Sequence, residues 1–380
     1  MAPNEYSSPL VGSDFNHQTY SGHCWQIGVK DRLAMRNGWS PSKMPRKRSK
    51  NFDVSVGVLN HIPELAGYYA DGLRVLGLCL LSIRQHADRD FELIVADNNS
   101  CPEVREFLLE QQASGLIDTL ILNSANLGHN GIAQMMAATT GSYFFFSDWD
   151  IYHRPNYMKE QISIVENFPN VGMVGGRPTR HLSQKYTERT KSMIENRSDM
   201  TLEEGHFIPY ESLLEFAEQT GGHVSQGTPE ERVDTLTKEH KEIRLSYKNK
   251  QCYLGASHMQ YLMPRKAIDA MGIHWHDEVR CKTEVVDLPL ADVDFLRITT
   301  TEAYVDHIGN ALDNPKLAKE YQRLLEQKDM RAQQAAFGQK NGSTIIDEKV
   351  WQNPTMRKLL FKMYLWSFKK YSQFTENTKT

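Results

Sequence analysis

Two aspartates, Asp148 and Asp150, stand on either side of Trp149 at the end of the run Gly141-Ser142-Tyr143-Phe144-Phe145-Phe146-Ser147. Residues 142–146 are small or aromatic and rich in β-formers, so they read as a strand buried on both faces. A carboxylate buried without a partner costs on the order of several kcal/mol. The pair must therefore stand where the strand leaves the sheet, at its carboxyl end, the edge at which open α/β sheets bind ligands. Two carboxylates there suit a hard divalent cation that carries phosphate oxygens. A polar strand end capping the next segment is the other reading, because Asp is common in turns.

The elements that must position this pair follow from the pattern on either side. Residues 54–59 form a first strand ending at Asn60-His61, and residues 69–86 carry Leu73, Leu76, Leu80 and Ile83 at helical spacing. A second strand, 91–96, ends in Asp97-Asn98-Asn99-Ser100, and Pro102 opens a helix over 102–112. A short strand at 120–122 leads into the polar stretch 123–131, and a helix over 132–139 is ended by Gly141. Strand and helix alternating at this pace imply parallel strands with right-handed crossovers in a doubly wound sheet. Beyond Asp150 the pattern predicts a helix over 156–168, a strand over 171–175, a strand over 257–262 and a helix over 265–271. A polar loop over 274–287 follows, then a strand over 292–299, the segment 303–310 and a solvated helix over 315–335. Residues 180–250 are charged, with breaks at Gly221-Gly222 and Gly227-Thr228-Pro229, and read as a helical insert or lid. Polar residues follow the strands of the first half on what should be one edge: Asn60-His61, Asp97-Asn98-Asn99, the stretch from Asn126, and the aspartate pair. One polar strand end is a turn, but four on one edge make a site.

Composition narrows the class. The chain has 380 residues, 40% hydrophobic and 24% charged, which is ordinary for a globular protein of one large domain or two. A net charge of −3 gives no overall bias toward nucleic acid or an acidic membrane. Cysteines 24, 79, 101, 252 and 281 form no C-x-x-C pair, which excludes a disulfide framework or zinc site and fits a reducing compartment. With no signal-peptide pattern and no run of about eighteen apolar residues, the expected location is cytoplasmic. Residues 1–50 are polar, end in a basic cluster over 43–50 and read as an extension. Within 355–371, Arg357, Lys358, Lys362, Lys369 and Lys370 interleave with Leu359, Leu360, Met363, Tyr364, Trp366 and Phe368. Such a helix can lie on an anionic membrane surface as a peripheral contact, or dock on its own domain with snorkelling lysines.

Four of these motifs, in order, carry a family resemblance: Val56-Gly57-Val58-Leu59-Asn60, the stretch from Leu93 to Ser100, Asn126-Leu127-Gly128, and the run from Gly141 to Asp150. Residues 53–178 resemble the family 2 glycosyltransferases of the GT-A nucleotide-sugar fold. The resemblance implies an α/β, Rossmann-like, mixed and mainly parallel sheet flanked by helices, with a helical insert and C-terminal helices. The domain would cover 51–312, with a nucleotide-binding half at 53–178, the insert at 180–250, an acceptor half at 251–312 and a C-terminal extension at 313–380. It implies that Asp97 holds the base or ribose of a UDP- or GDP-linked donor, with Asn60, Asn99, Asn126 and Gly128 lining that pocket. Asp148 would face the sugar or ribose and Asp150 would hold Mn2+ or Mg2+ on the diphosphate, with His307 completing the metal site. Ala291-Asp292-Val293-Asp294 resembles the segment that carries the general base of inverting members, although Ala291 replaces the usual acid. Asp292 is the implied base, with Asp277, Glu278 and Asp287 as rivals, and His274, Trp275 and His276 would face the acceptor. The acceptor could be a glycan, a lipid-linked sugar, a protein or a modified nucleobase. A sugar-nucleotide pyrophosphorylase would need a glycine-rich basic loop after the first strand, which Asn60-His61-Ile62-Pro63 lacks. A non-catalytic nucleotide-sugar binding module is the remaining rival, and Asp148, Asp150 and His307 argue against it.

Overall fold

The protein is seen in a computed structural model that describes residues 52–139, 141–180, 184–220, 227–273 and 282–341. The 1–50 extension, the 355–371 helix and the candidates His274, Trp275, His276, Asp277 and Glu278 lie outside the described residues.

The first half follows the hydrophobic pattern closely. β1 (Val54–Asn60), α1 (Gly72–His86), β2 (Phe91–Asp97), α2 (Pro102–Ala113), β3 (Thr119–Leu122), α3 (Asn130–Ala138) and β4 (Tyr143–Asp148) alternate as expected. Helix α1 begins three residues later than the spacing suggests, because Gly67–Tyr69 form a separate 3-10 turn. After β4 come β5 (Ile151–His153), α4 (Tyr157–Asn167), β6 (Val171–Gly175) and α5 (Gln184–Glu195). Then follow β7 (Met200–Gly205), α6 (Tyr210–Thr220), α7 (Pro229–Glu239), β8 (Glu242–Tyr247), β9 (Lys250–Leu254), β10 (Gln260–Pro264) and α8 (Arg265–Met271). A π-helical turn (Thr283–Asp287), α9 (Leu288–Ala291), β11 (Leu296–Thr299), β12 (Val305–His307) and α10 (Pro315–Asn341) complete the order.

Ten strands form one sheet in the order β3-β2-β1-β4-β10-β6-β11-β9-β8-β7. The β3-β2-β1-β4 stretch is parallel, as is the β6–β11 pair, and β10 runs antiparallel between β4 and β6. The core is therefore mixed and mostly parallel, with β9, β8 and β7 added by antiparallel pairing at one side. Side chains alternate across a strand, so each strand feeds two layers. Val54, Val56, Val58 and Phe145 pack with α1, α2 and α4 on one face, while Phe144, Phe146 and Ile94 pack with α3, α8 and residues 285–290 on the other. Phe144, Phe145 and Phe146 are almost completely buried, and each such side chain contributes roughly 1.5–3 kcal/mol. Trp149 packs against the α1 side, as its place between the two aspartates suggests.

The 180–250 segment carries three helices, α5, α6 and α7, as its charge suggests, but it is not helical throughout. Strands β7 and β8 pair with each other and extend the main sheet. In Met200-Thr201-Leu202-Glu203-Glu204-Gly205 the polar residues dilute a weak alternation whose outer face meets solvent. The short β5 and β12 were also invisible, because three residues carry no period; they pair antiparallel as a separate ribbon. No helix among the described residues is long and apolar enough to cross a membrane.

Strand β4 starts at a tight crossing. A Cβ on Gly141 would lie 2.5 Å from the Asp53 carbonyl oxygen and 2.7 Å from its carbon, and backbone cannot swing aside as a flexible side chain can. Gly141→Ala is therefore expected to lower stability by about 1–3 kcal/mol, read as a shifted urea midpoint with an unchanged slope. An unshifted midpoint would show that the crossing has room to open.

Candidate functional site

Parallel pairing sets the site's first row. Asn60 is opposite Asp97 and Leu59 is opposite Asp148, so three strands end at one level. Asn60 and Asp97 are fully buried. Asn60 Nδ2 donates to Asp97 Oδ1 at 2.9 Å and to Ser100 Oγ at 3.0 Å, while Ser100 N donates to Asp97 Oδ2 at 3.1 Å. Arg105 stands 3.9 Å from the same carboxylate. Asp97 is thus placed as the organiser of the loop behind β2, with both oxygens already accepting. Asn60 Oδ1 is buried and accepts no hydrogen bond from the described residues.

The neighbouring loops rest on this row. Asn98 Nδ2 donates to the Gly128 carbonyl at 2.6 Å, and Asn123 donates to Asn98 Oδ1 at 3.0 Å. Asn99 is exposed with φ 61°, a left-handed conformation that Asn tolerates. Asn126 is exposed and its Oδ1 accepts the Gly128 N–H at 2.8 Å, closing a turn in which Gly128 has φ 54°. The expected nucleotide residues are therefore on one edge, but only Asn99 and Asn126 among the side chains stand open to solvent.

The aspartate pair is split by its partners. Asp148 ends β4, and its carboxylate is paired with the Lys282 ammonium, which also lies 5.3 Å from the Phe146 ring centroid. Asp150 is mostly buried and faces His307 Nε2 at 3.4 Å. The β5–β12 ribbon makes that approach possible: His307 is opposite Ile151, and Ile308 N donates to the Asp150 carbonyl at 2.8 Å. Beside Asp150 the exposed Tyr68 packs edge-on to Tyr69 at 4.9 Å, and Tyr69 lies 6.3 Å from Trp149.

A partly buried charge cluster holds the ribbon. Arg177 Nη1 is bound to Asp306, the residue before His307, and Arg177 Nη2 donates to the Ser212 carbonyl of α6 at 2.8 Å. Arg154 Nε donates to Asp306 Oδ2 at 2.6 Å and its Nη2 reaches Glu215 at 2.8 Å. Burial alone would lower the Arg154 pKa, but Asp306 and Glu215 outweigh it and hold the guanidinium above its ordinary value.

The other candidates are not brought to this row. Asp292 and Asp294 are exposed and precede β11, which runs parallel to β6 and β4's direction, so they sit beyond the opposite edge. Asp294 pairs with Arg189 instead. Asp287 is fully buried between Arg297 and His258, so it offers no open oxygen as a base. His258 and Lys282 are the edge residues that the sequence did not single out. A buried arginine inside the strand Leu296-Arg297-Ile298-Thr299 was the available signal, because such a charge demands a buried partner.

A divalent cation finds no all-protein cage here: among the described residues, no three His, Cys, Asp or Glu side chains stand close enough to hold one. Asp150 nevertheless suits an ion that arrives with a diphosphate, since Mg2+-type ions use one or two carboxylates plus phosphate oxygens. His307 Nδ1 accepts the Gly309 N–H at 3.1 Å, which leaves the proton on Nε2, toward Asp150. In that tautomer His307 orients Asp150, and ligation through Nε2 requires the opposite one.

Two predictions follow from the charges. Asp150 is held above the ordinary carboxylate range, chiefly by burial and also by Asp148, against the opposing effects of His307 and Lys282. An acid with a raised folded-state pKa binds more protons folded than unfolded, so its ionised form costs stability at neutral pH. Asp150→Asn should raise the thermal midpoint at about pH 7 and lose that advantage near about pH 3, where both states are protonated. A lower midpoint at neutral pH would refute the burial cost. Lys282→Met removes the ammonium from Asp148 and should tighten Mn2+ binding to the nucleotide-free protein by about tenfold or more, by titration calorimetry. Unchanged binding would mean that Lys282 does not compete with a cation there.

Comparison with known proteins agrees with this architecture. Residues 73–228 match the family described as Glycosyl transferase family 2. That stretch contains Asp97, Asn99, Asn126, Gly128, Asp148 and Asp150 but neither Asn60, His258, Asp292 nor His307. No curated protein matches the chain. Among solved structures, residues 1–349 of S. aureus TarS align with 12% identity over 73% of this chain and 65% of that one, with a TM-score of 0.39. A structure of GalNAc-T7 with UDP, GalNAc and Mn2+ aligns with 12% identity over 68% of this chain and 44% of that one, with a TM-score of 0.40. The chain spans less than two thirds of either solved chain. A known transferase family is thus matched in the part of the chain that carries the aspartate row, and residues 73–228 are a family 2 glycosyltransferase domain in an α/β fold of GT-A type.

Proposed function

We propose that the protein transfers a sugar from a UDP- or GDP-linked nucleotide sugar to an acceptor hydroxyl. The observation that carries this reading is the row of strand ends at which Asp148 and Asp150 stand beside the Asn60–Asp97 loop, within and next to the matched domain. In this reading the base and ribose lie over the β1 and β2 loops, where Asn99 and Asn126 are open and Asn60 Oδ1 lacks a donor. The exposed Tyr68 gives an aromatic face beside Asp150. Asp150, oriented by His307, would hold Mn2+ or Mg2+ arriving with the donor. When bound, the ion supplies counter-charge for the departing nucleoside diphosphate. Lys282, now on Asp148, lies within the same row and can offer its ammonium to the phosphates. The glycine-rich basic loop of a pyrophosphorylase is absent after β1, where Ile62 is fully buried and Ile62 N donates to Ser100 Oγ at 2.9 Å.

Titration calorimetry with UDP and GDP, with and without Mn2+, tests binding, and a nucleotide-sugar hydrolysis assay tests turnover. The expected outcome is Mn2+-dependent binding of one nucleotide, and in Asp150→Ala a loss of at least about tenfold in that dependence. Wild-type protein that binds neither nucleotide and hydrolyses no nucleotide sugar would sink the reading.

A further inference from the structure

Hydroxyl transfer needs a group to take the acceptor proton, and the described carboxylates of the row are committed elsewhere. Asp148 is held by Lys282, Asp150 faces His307, Asp97 is enclosed, and Asp292 is beyond the opposite edge. Among the described residues, His258 is a further titratable group at this edge. Asp148 N donates to the Met259 carbonyl at 2.9 Å, which places the residues just before β10 against the end of β4. His258 is the residue before Met259, and its side chain is 34% exposed.

Behind His258 is a built support. Its Nε2 is paired with Asp287 Oδ2, and Asp287 Oδ1 is 2.6 Å from Arg297 Nη2. Asp287 is fully buried and the Arg297 side chain is 5% exposed. Arg297 also reaches the Ala256 carbonyl at 3.4 Å, which ties the cluster to the loop that carries His258. A carboxylate accepts but cannot donate, so the neutral imidazole carries its proton on Nε2 and its lone pair on Nδ1. No described residue takes that Nδ1. An Asp287–Arg297 pair alone would pin the π-helical turn to β11, so a structural role does not require a half-exposed histidine with one free nitrogen.

We infer that His258, oriented by Asp287 and Arg297, is the general base for a hydroxyl acceptor in the transfer proposed above, and the inference rests on that reading. The acceptor oxygen forms the new bond to the anomeric carbon. The bond from that carbon to the diphosphate oxygen breaks, and its electron pair leaves with the nucleoside diphosphate. The acceptor proton passes to His258 Nδ1, and Asp287 stabilises the imidazolium that results. Asp287 and Arg297 are positioning residues. The acceptor class is a neutral hydroxyl, because an acceptor that is already an anion has no proton to surrender.

That distinction gives the test. Wild type and His258→Gln are compared with UDP-glucose, UDP-N-acetylglucosamine and GDP-mannose, using water and then azide as the acceptor. Glutamine can still donate an N–H to Asp287 but has no basic nitrogen. Hydrolysis should fall by about 10²-fold or more in the variant, while formation of the glycosyl azide and the affinity for the free nucleotide stay at wild-type levels. In His258→Ala, added imidazole should restore hydrolysis without changing azide transfer. Equal losses with water and azide, full hydrolysis in the variant, or no rescue by imidazole would each overturn the assignment of His258 alone. A wild type that turns over no donor would remove the glycosyltransferase reading and this inference with it.

Discussion

The in-register parallel pairing of β1 with β2 and β4 is the constraint on which the rest depends. It puts Asn60, Asp97 and Asp148 at the ends of three adjacent strands, within one residue of the same level, with buried and mostly apolar residues below them. A slip of one residue in any pair would turn every side chain to the other face. It would also bring a carboxylate into the phenylalanine layers, where no partner exists for it. Register and charge therefore enforce one another: the hydrophobic layers fix the strands, and the strands deliver polar groups only at the edge.

The second half of the site reaches that edge by a different route. His307 arrives on a three-residue strand that could not hold its position alone, since an isolated two-stranded ribbon is marginal in water. The buried Arg177 and Asp306, with the half-buried Arg154 and Glu215, supply the missing constraint, linking the ribbon to α6. Such clusters are poor sources of net stability, because desolvation consumes much of the attraction, yet removal of one partner strands the others. Their value here is positional: Asp306 is clamped, and the adjacent His307 is directed to Asp150.

The parts legible in the sequence were those with a period. The alternating strands and helices from Val54 to Asp148, and the polar strand ends, followed from burial alone. Helix α8 was found at the expected residues because its apolar spacing is unambiguous. What had no period was missed: the β5–β12 ribbon, and the polar outer strands β7 and β8. Asp292 illustrates a different limit. A family-like segment suggested a base there, but a residue that precedes a strand parallel to β4 emerges at the edge opposite Asp148. The His258–Asp287–Arg297 cluster joins three segments whose proximity only the folded chain reveals, although the buried arginine hinted that a partner existed.

Charge balance gives the site a further property. Among the described residues, Asp148 is matched by Lys282, Asp97 by Arg105, Asp287 by Arg297, and Asp306 with Glu215 by Arg154 and Arg177. Asp150 is the carboxylate of the row that no lysine or arginine pairs with, so the described edge carries no surplus of positive charge. A nucleoside diphosphate sugar brings about two negative charges to it, and two like charges about 4 Å apart at a protein surface repel by up to about 4 kcal/mol. Lys282 could turn to the phosphates only by uncovering Asp148, which leaves the total unchanged. In the proposed transfer a cation that comes with the donor would meet the shortfall, with Asp150, which faces only a histidine, sharing it. Cation-dependent donor binding is thus what the proposed transfer expects from the pairing of this chain's own charges.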